Sequence, residues 1–144
     1  DHIDLEFDVG QCIQASYTAP TAGRTSVNIV ASDGTVVLHV DYRKHSGGKP
    51  STGKPWNQIL IINSKLGGSW GTEEKVHDVE TTIVYNDYTG CKQDADFSIE
   101  LNQKDIATYA YRTPVNTVSR VEFGNSGNDA VLRKLCVVYP APSK

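Results

Sequence analysis

What most constrains this chain is its punctuation. Short segments that alternate apolar and polar residues follow one another from end to end, each closed by Gly, Pro, Asn or Asp, and no stretch of about ten residues or more reads as an amphipathic helix. Neighbouring side chains in a strand point to opposite faces, so each segment has one face to bury and must pair into a sheet to do so. Ile3, Leu5 and Phe7 alternate with acids, and Cys12 to Thr18 resumes after a break. Residues 26–32 and 35–43 flank Asp33-Gly34, a pair that predicts a two-residue type I′ hairpin. Further strands are read over 58–64, 97–101, 106–111, 118–123 and 131–139, with turns at Gly67-Gly68, 102–105 and 124–129. Residues 45–55 read as a long exposed loop and 86–94 as a polar loop. The stretch 72–83 fits helical or extended spacing, and its β-branched residues favour two short strands around His77-Asp78. About ten or eleven short strands at this spacing predict an all-β sandwich of two antiparallel sheets.

At 144 residues, with no internal repeat and no linker-like tract, the expectation is one domain spanning 1–144. Fourteen basic residues against seventeen acidic ones give a net charge of −3 without a basic cluster, which argues against nucleic acid as a partner. The longest aliphatic run, Ile59 to Ile62, falls far short of the roughly 20 residues that span a bilayer, so no membrane insertion is expected. The three cysteines, Cys12, Cys91 and Cys136, are widely spaced and match no metal or redox motif. They are read as free thiols, held reduced or buried as small apolar groups. No signal-like segment and no N-x-S/T acceptor is visible. Cytoplasmic residence, or extracellular action after non-classical secretion, is the expectation.

The chemistry concentrates between His39 and Lys75. On a strand, His39, Asp41 and Arg43 share one face and Leu38, Val40 and Tyr42 the other. Asn63 closes the next apolar strand, Trp70 sits among glycines, and Glu73 and Lys75 again share a face. Sugars carry many hydroxyls that water already satisfies, so affinity for them needs convergent donors and acceptors beside a flat apolar plate. These seven residues form a candidate carbohydrate site. The isolated histidines His2, His45 and His77 lack such company, and Trp56, next to Pro55, reads as a loop or core anchor.

The order His39-x-Asp41-x-Arg43, then Asn63, then Trp70-Gly71-x-Glu73-x-Lys75 resembles the galectins, whose pattern is H-x-N-x-R, Asn and W-G-x-E-x-R. That resemblance implies a jelly-roll sandwich and a non-enzymatic, metal-free lectin, without cofactor, that binds β-galactosides. It implies that His39 and Arg43 donate to the axial 4-hydroxyl of galactose, that Asn63 and Glu73 hold the 6-hydroxyl, and that Trp70 stacks on the apolar face of the sugar. Asp41 and Lys75 depart from the pattern. Aspartate accepts but cannot donate when ionised, and lysine lacks the planar fork of arginine, so altered preference is expected. A glycosidase would need a protonated acid, whereas Arg43 and Lys75 beside Asp41 and Glu73 are expected to favour their ionised forms, so both acids read as binding acceptors. The competing reading is a galectin-fold module that binds a protein partner with weak or no sugar binding. Single shallow sites bind weakly, so a homo-oligomer, dimer or larger, that cross-links glycans is expected.

Overall fold

In a computed structural model of the chain, residues 2–4, 7–18, 23–45, 57–77, 79, 85–115, 118–126 and 132–138 are described. They form twelve strands and no helix. One sheet holds seven of them: β1 (His2–Asp4), β11 (Val118–Ser126), β3 (Gly23–Ala31), β4 (Val36–His45), β5 (Asn57–Leu66) and β6 (Ser69–Trp70) in spatial order, with β7 (Glu74–His77) also pairing β5. The other holds five, in the order β10 (Lys104–Ala110), β9 (Asp96–Leu101), β8 (Tyr85–Lys92), β2 (Cys12–Thr18) and β12 (Leu132–Val138). Every pairing is antiparallel. The expected two-sheet jelly-roll sandwich is therefore what the chain forms.

The core lies between the sheets and follows from the alternation. Val27 and Ile29 of β3, Leu38, Val40 and Tyr42 of β4, and Leu60 and Ile62 of β5 meet Ile13, Ala15 and Tyr17 of β2 and Phe97, Ile99 and Leu101 of β9. With one face of each strand committed to this layer, the intervening residues of the seven-stranded sheet must line its outer face. A slip of one residue would exchange the two sets, so core burial holds the register of every outward side chain.

The hairpins correct the expected turn chemistry. The β3–β4 turn holds three residues, not two: Gly34 N–H donates to Ala31 C=O (2.9 Å), Ala31 N–H to Thr35 C=O (2.9 Å), and only Gly34 is left-handed, at φ 88°. Asp33 instead accepts from Thr35 N–H (2.9 Å). This is a type I turn closed by a glycine bulge. A second irregularity, between Ile29 and Val30, absorbs the extra residue, so that Ile29 faces Leu38 and Asn28 faces His39. The type I′ geometry appears elsewhere, at Gly67-Gly68 (φ 58° and 80°) and at Asn102-Gln103 (φ 53° and 68°).

Four further expectations fail or lie outside the described residues. The segment read as a polar loop over 86–94 is largely β8, at the centre of the five-stranded sheet. Of its described side chains only Tyr88 supplies an apolar inward group; Gly90 lies next to the Tyr88 ring and Lys92 is buried, donating to Phe7 C=O (3.1 Å). Pairing on both sides therefore overrides a weak hydrophobic period. Within 72–83 one short strand, β7, is described; the second expected strand, the 45–55 loop beyond His45 and Trp56 lie outside the described residues.

The cysteines are not all free thiols. Cys12 and Cys91 face each other across β2 and β8, with Cα atoms 4.0 Å apart, and form a disulfide; Cys136 is free. The bond lies on the outer face of the five-stranded sheet, because Cys12 precedes the inward-facing Ile13. It spans 79 residues of sequence, a loop whose closure in the unfolded chain is worth about 4–5 kcal/mol in the chain-entropy account. Reduction, or the Cys12→Ser/Cys91→Ser change, is expected to lower the melting temperature by on the order of 10 °C in thermal denaturation. A melting curve insensitive to reductant would contradict this.

Candidate functional site

The outer face of the seven-stranded sheet links five of the seven candidate residues, His39, Asp41, Arg43, Glu73 and Lys75, in one polar chain, with Asn63 opposite His39 on β5 and Trp70 along one side. Pairing sets Arg24 opposite Arg43, Ser26 opposite Asp41 and Asn28 opposite His39 between β3 and β4. On the other side of β4, His39 faces Asn63 and Asp41 faces Ile61, which in turn faces Lys75 of β7. The arrangement is a consequence of register: antiparallel partners lie on the same face.

His39 is nearly buried and its Nδ1 lies 2.5 Å from Asn28 Oδ1. With that carbonyl oxygen as acceptor, Nδ1 carries the proton, and the neutral ring presents Nε2 as an acceptor rather than a donor. Burial holds the His39 pKa below its ordinary value of 6.5; Asp41 and Glu73 oppose this and Arg24 and Arg43 reinforce it. The Trp70 ring stands 4.7 Å from the imidazole, tilted by 53°, with Lys65 Nζ 5.6 Å from its centroid. At 49 % exposure it is an aromatic surface open to solvent, held by pairing of Ser69 and Trp70 with Leu66 and Lys65.

Asp41 is not at the surface. Its relative exposure is 0 %, and its Oδ2 accepts from Arg43 Nε (2.8 Å) and Arg24 Nε (2.8 Å), with Arg24 Nη2 at 2.6 Å. Oδ1 is buried without a hydrogen-bond partner among the described residues. A buried carboxylate is tolerated when cations compensate it, and two guanidiniums converge here. Asp41 therefore anchors arginines, which stand between it and solvent.

Asn63 is also buried. Its Oδ1 accepts from Ser64 N–H (2.8 Å) and Arg112 Nη1 (2.9 Å), while Nδ2 donates to Gly71 C=O (2.9 Å), leaving one amide hydrogen for a ligand. Arg112, just past the end of β10, reaches over from the opposite sheet and also donates to Thr72 C=O (2.6 Å), with Glu74 Oε2 at 3.4 Å and its guanidinium 5.0 Å from the Tyr109 ring. Arg112 and Asn63 together thus hold the segment that carries Trp70 and Glu73. Glu73 links Arg43 Nη2 (3.5 Å) to Lys75 Nζ (3.9 Å); both pairs are solvent-exposed, so each is worth about 0–1 kcal/mol.

Three contributors escaped the sequence reading. Arg24 and Asn28 belong to no motif, and only strand register identifies them: counted back from His39 and Arg43 across the hairpin, they fall opposite those residues. Arg112 gave no local signal, since it meets Asn63 across 49 positions of sequence. His77 is exposed on β7, and the side chains of His2 and His45 lie outside the description. A groove of about 690 Å³ lies on the outer face of the other sheet, over the Cys12–Cys91 disulfide and beside Asp94, Asp96 and Glu100, and contains none of these residues.

A β-sandwich whose one face bears an exposed tryptophan beside a packed row of hydrogen-bonding side chains has the make-up of a carbohydrate-binding protein. The comparisons give that class its family. Residues 2–128 match the family model described as galactoside-binding lectin. Over all 144 residues, and the full length of both chains, the sequence is 89 % identical to galectin b of Aplysina lactuca. It is 43 % identical over 127 residues to a galactose-binding lectin of Chondrilla caribensis, covering 85 % of this chain and 89 % of that one. Among solved structures, a tetrameric galectin from the ball sponge Cinachyrella superposes with a TM-score of 0.72 at 23 % identity, covering 96 % and 99 % of the two chains. The chain belongs to the galactoside-binding lectins, the galectin family, which are non-enzymatic.

Two outcomes follow from this geometry. The His39 ring should titrate by NMR with a midpoint below 6.5, because burial disfavours the imidazolium. Since the native value is depressed, stability associated with neutral His39 is complete above 6.5 and is lost as pH falls through the native midpoint. A midpoint at or above 6.5 would overturn the neutral-acceptor assignment. At Gly71, an added Cβ would lie 2.7 Å from Arg112 Nη1 and 3.3 Å from Asn63 Oδ1. Gly71→Ala should therefore break the Arg112–Asn63 bond, with the Trp70 indole fluorescence shifted and stability lowered by about 1 kcal/mol in urea unfolding.

Proposed function

We propose that this lectin binds β-galactosides of the lactose or N-acetyllactosamine type without a metal ion, and cross-links glycoconjugates as an oligomer. The observation that carries the reading is the exposed Trp70 ring standing beside His39, with Arg43, Glu73 and Lys75 linked next to it and Asn63 opposite His39 on the same face. Galactose has an axial 4-hydroxyl and so keeps one continuous apolar face. That face stacks on Trp70 while the 4-hydroxyl meets the β4 row and the 6-hydroxyl turns toward β5 and the Asn63–Glu73 side. In this pose the 4-hydroxyl donates to His39 Nε2 and accepts from Arg43, and Asp41 acts through the arginines it anchors. The similarity to a galactose-binding lectin of Chondrilla caribensis supports the sugar class.

One such site yields about −4 to −6 kcal/mol, toward the weak end of the affinity scale, so clustering supplies useful avidity. The fold shared with a tetrameric galectin supports an assembly of copies. Of the two locations expected from sequence, the Cys12–Cys91 disulfide favours the extracellular one, where such bonds persist.

Lactose titrated into the chain by calorimetry should bind with equal affinity in the presence and absence of a chelator. Trp70→Ala should weaken binding at least tenfold, since stacking contributes about 1 kcal/mol beyond burial and the plate itself is lost. Because Trp70 is half exposed, the melting temperature should barely move. Equal lactose affinity in wild type and Trp70→Ala, or no galactoside binding at all, would sink this reading in favour of a protein-binding module.

A further inference from the structure

Among the described residues two large apolar side chains stand exposed: Trp70 at the sugar site, and Val9, 54 % exposed, at the groove on the outer face of the five-stranded sheet. Val9 sits on a turn that is fastened down. Gln11 N–H donates to Asp8 C=O (3.0 Å), and Gln11 Oε1 accepts from Asp8 N–H (2.6 Å). Gly10, left-handed at φ 90°, donates its N–H to Lys92 C=O (2.9 Å), and Lys92 N–H donates to Gln11 C=O (3.0 Å). The buried Lys92 adds its bond from Nζ to Phe7 C=O. An apolar side chain held out on so well-tied a turn is preorganised, which lowers the ordering cost of any contact made with it.

The groove beside Val9 does not end there. Val9, Lys92 and Asp94 also line a second cavity, of about 520 Å³, whose other walls are Asp8, Tyr111, Pro114 and Val115. The two adjoin as one trough. Its floor on the sheet is set by register: Glu100, Thr89 and Gln14 form one cross-strand row, and Ser98, Cys91 and Cys12 the next. Along β9 alone, the step from Glu100 to Asp96 covers about 13 Å at the rise of an extended strand. Such a length suits an extended segment.

Charge decides what kind of segment. Asp8 and Asp94 stand exposed along the trough, with Asp96 and Glu100 half-buried. The one cation lining either part is Lys92, buried with its Nζ on Phe7 C=O. Between the acids lie Val9, the disulfide, Ala95 and Pro114, which are apolar. Lysine and arginine match both features at once, since their stems lie along apolar surface while their heads reach carboxylates at its rim.

We propose that this trough docks an extended segment of a partner protein in which lysine or arginine alternates with apolar residues. The apolar side chains rest on Val9 and the disulfide, and the cationic heads meet Asp94, Asp96 and Glu100. The sandwich places the trough on the face opposite the sugar site, so one molecule holds a glycan and a partner together.

The test is fluorescence anisotropy of the full chain with labelled peptides of alternating valine and lysine, valine and glutamate, or serine and lysine. The valine–lysine peptide should bind at least about tenfold more tightly than the valine–glutamate one, by a margin that shrinks as salt is added. Asp94→Lys should weaken it about tenfold. Val9→Ser should weaken it about fivefold while leaving the serine–lysine peptide unmoved, because that peptide has no apolar side chain to lose. Both residues are exposed, so the melting temperature should barely change. Saturating lactose should leave the peptide affinity as it is. No binding of the valine–lysine peptide, equal affinity for the glutamate peptide, affinity unmoved by both substitutions, or competition with lactose would overturn the proposal. So would an oligomer that dissociates on Val9→Ser in sedimentation without any peptide binding, which would make a second copy the occupant.

Discussion

The site depends on a constraint that lies beneath it, the burial of one face of the seven-stranded sheet. Val27 and Ile29, then Leu38, Val40 and Tyr42, then Leu60 and Ile62 all enter one core. The residues between them have no choice of side. Because antiparallel partners share a face, three strands bring Arg24, Arg43, Asn28, His39 and Asn63 together, although they come from segments far apart in the chain. Each apolar contact in the core is worth little alone, but a one-residue slip would expose all of them together. The placing of these polar groups is thus a by-product of hydrophobic burial.

On that scaffold the polar groups divide into those that meet solvent and those that hold others in place. Asp41 and Asn63 are both buried; one oxygen of Asp41 is taken by two guanidiniums, and the Asn63 amide by Ser64, Arg112 and Gly71. A buried polar atom left without a partner costs about 1–3 kcal/mol, which is why such residues recruit arginines and backbone carbonyls from neighbouring strands. Arg112 is the clearest case. It extends from the opposite sheet, and through Asn63 Oδ1 and Thr72 C=O it ties the Trp70 segment to β5. The exposed tryptophan is consequently fixed at its backbone while its ring stays open.

How much of this could be read beforehand follows from which interactions are local. The alternation, the turn at Gly67-Gly68 and the ordered His39–Asn63–Trp70 pattern depend on residues close in sequence, and from them the all-β sandwich and the polar row on one face of β4 were legible. β8 was not. Its inward positions hold Tyr88, Gly90 and Lys92, and its strand state comes from pairing with β2 and β9. The Cys12–Cys91 bond shares that cause, since 79 residues separate the two and only the β2–β8 register brings them opposite each other. The β3–β4 hairpin lies between these cases. The expected two-residue turn was wrong in type, yet the bulge beyond it restores the pairing that such a turn would give, so Arg24 could have been counted into place opposite Arg43.

The exchange of asparagine for aspartate at position 41 shows why a motif position cannot be interpreted alone. On isosteric grounds it is a small change, one nitrogen for one oxygen. In a buried position it is a full charge, and the surroundings must answer it. Here the answer is a second guanidinium on one oxygen, with the other oxygen left without a hydrogen-bond partner among the described residues. Once that compensation exists, the residue has ceased to be a hydrogen-bonding surface and become the floor of a cationic one. The groups that face solvent at this point are then those of Arg24 and Arg43, and the chemistry of the surface is a property of the three residues jointly.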